Sequence, residues 1–176
     1  MTLKEITDVA SVLIGKQVDT ALANLYVTEG INLITTRYST ACPIKCITIT
    51  CNNPKDPKYL PNNRGIYKIY RNKQLYADYR MDETGLFFSH EGEYTVYYYS
   101  AFFGKLSEAE PVPVSAEYEA ELCKYVAFSV LRADDPSNRL ADKLVEEFYD
   151  NCAAINQSIL GRLRRKPLPI LAPKWR

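Results

Sequence analysis

Apolar residues recur at helical spacing towards both ends of this chain and alternate with polar ones in its middle. Between residues 3 and 14, Ile6, Val9, Ala10 and Leu13 fall three to four apart, which predicts a helix with one apolar side. Thr2 is placed to cap it, Glu5 to complete a capping box and Gly15 to stop it. A second helix is expected from about Gln17 to Arg37, with Val18, Leu22, Leu25 and Leu33 on one side and Gly30 as a weak point. Two helices joined by a short turn predict an antiparallel pair.

The period changes at Thr40. From Ile44 to Cys51, Ile47, Ile49 and Cys51 alternate with Cys46, Thr48 and Thr50, the mark of a strand with two unlike faces. Asn52 to Asn63 is rich in Asn and Pro and reads as a loop. Gly65–Arg71 and Gln74–Met81 read as strands joined by a turn at Asn72-Lys73. Asp82-Glu83-Thr84-Gly85 turns into Leu86–Ser89, and His90–Glu93 turns into a last strand from Tyr94 to Phe103. Residues 41–105 are therefore expected to form an antiparallel meander of about five strands.

Helical spacing returns after Pro111 and Pro113. Tyr118, Leu122, Tyr125, Val126 and Val130 share a face, and Asp134-Asp135-Pro136-Ser137 breaks it, with Pro136 suited to the first turn of a following helix. Leu140, Leu144, Phe148, Cys152, Ile155 and Ile159 continue the period until Gly161, the expected stop. Pro167, Pro169 and Pro173 then forbid helix and favour an extended segment. The fold class expected is α+β: a bundle of about four helices from residues 1–40 and 111–160, an inserted antiparallel β subdomain over 41–110, and an extended basic arm over 161–176. Each helical pair has one apolar side, so the pairs are expected to pack together.

Composition adds an asymmetry. The 176 residues have a net charge of +1, but residues 161–176 carry six basic residues and no acidic one. That leaves 16 of the 22 basic residues against all 21 acidic ones in 1–160, a body of −5 beside an arm of +6. Such an arm is suited to an anionic surface, whether protein or nucleic acid. No export signal and no apolar window of membrane-spanning length is read, so no membrane partner is expected and the five scattered cysteines read as reduced thiols.

Candidate chemistry is sparse. Cys42, Cys46 and Cys51 do not have zinc-site spacing, and no metal is expected. His90 is the single histidine and falls in a turn, and Asp78, Asp82 and Glu83 lie near a hairpin end. A hydrolase using His90 or these carboxylates stays a rival reading, but no phosphate loop, dinucleotide fingerprint or metalloprotease motif occurs. No catalytic residue, cofactor or enzyme activity is expected.

The residues that stand out are suited to contact. Tyr94, Tyr97, Tyr98 and Tyr99 crowd one strand, with Tyr97 and Tyr99 alternating to one face and Tyr94 and Tyr98 to the other. Tyrosine buries a large area yet keeps a hydroxyl to satisfy, so these four are candidates for a partner surface, with aromatic pairing inside the sheet as the alternative. In the arm, Arg162, Arg164, Arg165 and Lys166 are followed by Leu168, Ile170, Leu171 and Trp175. Basic residues alone would suit phosphates, whereas the interleaved apolar ones suit docking on a protein neighbour, and prolines lower the entropy lost on docking. Arg162, Arg164, Arg165, Lys166, Leu168, Ile170 and Trp175 are the partner-binding residues expected of the arm.

From Pro113 to Phe148 the chain resembles the head-to-tail connector (adaptor) proteins of tailed bacteriophages. The resemblance lies in a proline-rich lead-in (Pro111, Pro113), a helix with Tyr118, Leu122 and Tyr125, an acidic break (Asp134, Asp135, with Asn138) and a second helix with the late aromatic Phe148. The helical N-terminal pair and the β insertion before the hairpin also look like that family. The chain departs from it in a hairpin less rich in alanine, at Lys124, Phe128 and Arg132, and in a larger, more aromatic insertion. Its Lys, Asn, Ile and Tyr usage suits a phage of an AT-rich host, with the ring proteins of crAss-like phages as the specific candidate. What the resemblance implies is a structural virion protein of the neck or tail, present in the host cytoplasm during assembly. It would form a homo-oligomeric ring, usually a dodecamer, beneath the portal protein. DNA would pass through its centre without sequence specificity, and other tail or ring proteins would dock on it. The alternative is a tyrosine-rich tail module that binds carbohydrate or a receptor.

Overall fold

The computed structural model describes residues 1–102, 104, 106 and 109–164, with the side chain of Arg164 excepted. Among them the fold is α+β: four α-helices and an antiparallel β region inserted between the second and third. Helix α1 (Leu3–Ile14) opens on the predicted capping box, in which Thr2 Oγ1 accepts from the Glu5 amide and Glu5 accepts from the Thr2 amide. Gly15, at φ +64°, closes the helix in the left-handed conformation that a Cβ would penalise.

Helix α2 (Thr20–Arg37) starts later than its periodicity suggests. Asp19 caps it, accepting from the amides of Ala21 and Leu22, while the Val18 amide donates back to Ser11 Oγ. Its buried face is Ala23, Val27, Ile31 and Ile34, not the side expected; Leu25 is exposed. On α1, Leu3, Ile6 and Ala10 are buried while Val9 and Leu13 lie outside. A broad apolar stripe does not say which of its edges meets a neighbour; the neighbour decides, and here it is α3 (Glu119–Asp134). This helix touches α1, α2 and α4 (Arg139–Arg164) and buries Leu122, Val126, Ala127 and Val130 among them. One apolar core unites all four helices, as expected of one-sided pairs.

Two punctuation signals act differently from expectation. Pro136 lies in the turn before α4 rather than in its first turn; Asn138 caps the helix, accepting from the amides of Leu140 and Ala141. Gly161 does not end α4, which runs on to Arg164. A single helical glycine costs about 1 kcal/mol relative to alanine, which a 26-residue helix packed along one side tolerates. Residues 161–164, assigned to the arm on sequence, are therefore helix.

The β region is not a simple meander. A four-stranded sheet has the order β1-β6-β2-β3, formed by Ile44–Cys51, Gly92–Ser100, Asn63–Arg71 and Gln74–Leu75, and β4 (Tyr79–Asp82) pairs with β5 (Gly85–Phe88) as a separate hairpin. The last strand inserts between the first two, pairing antiparallel with β1 from Ile44↔Tyr99 to Cys51↔Gly92 and with β2 on its other side. The strand expected over Gln74–Met81 is split, so that its second half joins β5 instead. That hairpin covers one face of the sheet, where Leu86 and Phe88 pack with Ile49, Ile69, Tyr94 and Val96 in a second core separate from the helical one. The opposite face carries Cys46, Thr48 and Thr50, all exposed as their alternation predicts.

Candidate assembly surfaces

Where the sheet meets the bundle, the chain crosses twice, through a 3-10 turn at Ser39–Ala41 and through Val112–Tyr118. The Ser115 amide donates to the Ala41 carbonyl at 2.8 Å. Buried Thr40 Oγ1 donates to Asn156 Oδ1 at 2.8 Å and lies 2.8 Å from the Tyr118 hydroxyl. A threonine hydroxyl has one proton, so Tyr118 is the donor in the second bond. Burial pushes the Tyr118 phenol up to about 12. This polar chain joins the β insertion to α3 and α4.

Beside the junction lies a cleft of about 480 Å³ whose walls include Ile44, Tyr67, Tyr99, Glu117, Arg162 and Leu163. Its floor is mostly apolar and one wall is charged. Glu117 accepts from Ser115 Oγ, which with Arg162 holds its carboxyl below the usual carboxylate range. Arg162 Nη2 stands 3.6 Å from Glu117 Oε1. Of the basic residues assigned to the arm, Arg162 is thus on the last turns of α4 and paired within its own chain, at a surface site where such a pair adds little stability. Arg164 ends α4; Arg165, Lys166, Leu168, Ile170 and Trp175 lie outside the described residues.

The four tyrosines of β6 do not make one outward surface. Tyr94 is fully buried, stacked on Phe88 at 3.8 Å between ring centroids, with its hydroxyl donating to the His90 carbonyl at 2.7 Å. Tyr98 is buried in the same core, and Tyr99 is buried against Tyr67 edge-to-face at 5.8 Å. The alternation was legible; what it left open was that both faces are covered near the junction end of the strand. Tyr97 alone stays half-buried on the open face, edge-to-face with Tyr70 at 5.9 Å. With Asn72, Lys73, Glu93 and Thr95 these two rings line a shallow groove of about 510 Å³. Cross-strand aromatic pairing within the sheet accounts for two of the four tyrosines of β6, Tyr97 and Tyr99.

Of the residues of the hydrolase reading, His90 and Asp78 come together, but at the open surface. His90 Nδ1 is 3.9 Å from Asp78 Oδ2, both exposed. Asp82 closes the β4–β5 turn by accepting from the Thr84 amide and hydroxyl, which depress its pKa. Among the described residues no three His, Cys, Asp or Glu side chains are grouped to hold a metal ion, and no helix is long and apolar enough to cross a membrane. Cys42, Cys51, Cys123 and Cys152 are buried and Cys46 is exposed, all as free thiols.

Sequence reasoning missed the junction chain of Tyr118, Thr40 and Asn156 and the Glu117–Arg162 pair. Their members are 38 to 116 positions apart or more ordinary than the tyrosines around them, and nothing local marks them. No protein-family model matches the chain, and no curated protein is significantly similar to it.

Proposed function

We propose that this chain is a structural subunit of the head-to-tail connector of a tailed bacteriophage, one of a ring of copies beneath the portal, usually twelve, whose centre passes DNA without reading its sequence. It does no chemistry; its work is to close a ring and to offer surfaces to the portal and to the next tail or ring protein. The observation that supports this reading most is the placement of the β region. It is a self-contained sheet with its own core, carried between α2 and α3 of a helical bundle whose α3–α4 hairpin bears the residues of the connector resemblance. A bundle with a projecting sheet gives each copy two unlike bodies, and a closed cyclic ring requires unlike patches to meet. The charge division between residues 1–160 and 161–176 supplies a second complementary pair. The site of action is the virion neck, and the host cytoplasm before assembly.

Sedimentation of the purified chain, alone and mixed with portal protein, tests the proposal. Rings, or a portal-bound complex, are expected; a monomer in both conditions contradicts it. One observation favours the alternative of a carbohydrate- or receptor-binding tail module: the open groove with Tyr70 and Tyr97 beside Asn72, Glu93 and Thr95, where rings and polar groups are combined as sugars require. Titration with glycans while following tyrosine fluorescence separates it from the connector reading.

A further inference from the structure

The outer edge of β1 is an open pairing site. The strand lies at the end of the β1-β6-β2-β3 order, and its register with β6 runs over all eight residues without a bulge. Among the described residues no strand other than β6 pairs with it and no backbone hydrogen bond reaches it from elsewhere. Natural sheets protect such edges with prolines, bulges, several charges or a covering segment. Residues 44–51 contain no proline and one charge, Lys45, and are otherwise isoleucine, threonine and cysteine. A straight edge of this length, left uncovered, is a template for another strand.

We propose that the occupant of this edge is the segment 167–174 of a second copy of the chain, added as a strand on β1. Three observations on the two partners lead there. First, Pro167, Pro169 and Pro173 all fall at odd positions. In an extended chain, alternate residues direct their backbone groups to opposite sides, so all three missing donors face away from a partner. Leu168, Ile170, Ala172 and Lys174 keep theirs towards it. This is the arrangement under which proline is accepted in an edge strand. Second, the segment has as many residues as β1, about 26 Å at about 3.3 Å each. Third, it lies in a basic tail, between Lys166 and Arg176, whereas residues 1–160 are net acidic.

The same geometry favours a second copy over the chain's own segment. Leu163, near the end of α4, and Ile44, the first residue of β1, line one cleft. A segment leaving α4 there and laid on its own β1 would have to run parallel to it. Among the described residues every ladder is antiparallel, and antiparallel pairing is the more stable per residue. A neighbour's segment can approach from the other end. Because each copy then has one edge and one strand to give, the contact is heterologous and propagates from copy to copy. The inference deepens the connector reading, on which it rests for the presence of a second copy.

The test uses full-length chains lacking the exposed thiol (Cys46→Ser). One tagged form carries Thr48→Cys; a differently tagged form carries Ile170→Cys or, for the opposite face, Leu171→Cys. They are co-expressed and treated with a short bis-maleimide. Crosslinks between the two tags are expected, and Ala172→Pro, which deletes a donor on the pairing side, should lower their yield about tenfold, the effect of one edge hydrogen bond. Ala172→Ser should leave it unchanged. A further chain carrying both cysteines that crosslinks only within itself, no tag-to-tag crosslinks, or crosslinks indifferent to Ala172→Pro each overturn the proposal. Sedimentation of the same samples keeps the two readings apart. Tag-to-tag crosslinks in open chains or dimers retain strand donation and remove the ring, whereas rings without crosslinks do the reverse.

Discussion

The hydroxyls of Thr40 and Tyr118 meet at 2.8 Å, although 78 positions separate them in the chain. Thr40 stands just before β1 and Tyr118 just before α3, so this bond closes the base of the β insertion. Replacing Thr40 with Val keeps the shape but leaves the buried Tyr118 hydroxyl and the half-buried Asn156 Oδ1 without their partner. We expect a loss of about 1–3 kcal/mol in a urea titration. Thr40→Ser, which keeps the hydroxyl, should lose clearly less.

Gly30 marks where α2 comes closest to α3. A Cβ there would lie 2.6 Å from Leu122 Cδ1 and 2.8 Å from Tyr125 Cδ1. Gly30→Ala gains up to ~1 kcal/mol of helix propensity but forces the crossing apart at a cost of about 1–3 kcal/mol. The expected outcome is a net loss of stability, measured by thermal unfolding; a gain would show that the helices are not pressed together at this point.

Glu121 is 6% exposed, with Lys124 Nζ 3.2 Å from Oε2 and the Asn151 amide donating to Oε1 at 3.2 Å. Removing the cation by Lys124→Met leaves a buried carboxylate uncompensated, which typically costs about 3–5 kcal/mol. The doubly substituted Glu121→Gln, Lys124→Met chain should recover much of that loss. Chemical denaturation of the two variants beside the parent chain measures both effects.

Alkaline pH should unfold this protein by linkage. Burial raises the Cys152 thiol from 9.0 to about 12, the Cys123 thiol from 9.0 to about 11 and the Tyr118 phenol from 10.0 to about 12. Between the lower and the higher value the unfolded chain has lost a proton that the folded one keeps, so stability falls with rising pH. The stabilisation is fully present below about pH 9 and is lost progressively up to about pH 12. A midpoint of denaturation independent of pH between 8.5 and 11 would argue against this burial. At pH 8 a thiol reagent should modify Cys46 quickly and the four buried cysteines only after unfolding.

Much of this architecture was legible in the sequence because its signals are local. The α1 capping box, the two-faced β1 and the late aromatic of α4 each depend on residues within one element. What was not legible depends on partners far away in the chain. Periodicity gave α1 and α2 an apolar side, but only α3 decides that Ala10 and Ile31 are inside while Val9 and Leu25 are not. Alternation assigned the tyrosines of β6 to faces, yet Tyr99 is covered because Tyr67 and the bundle reach it. Gly30 and Gly161 are the same residue type within a helix; a close crossing explains the first, and nothing within 4 Å of the second position constrains it.

The account rests on the claim that this chain is made to be joined to copies of itself and to a portal. The most direct measurement is the mass of the particles formed by the full chain and by a chain ending at Arg164, each mixed with portal protein. The account predicts a closed multi-copy ring on the portal for the full chain, and a folded monomer that does not join it for the shortened one. Full-length chain that stays monomeric beside the portal, or a shortened chain that assembles as well as the full one, would contradict it.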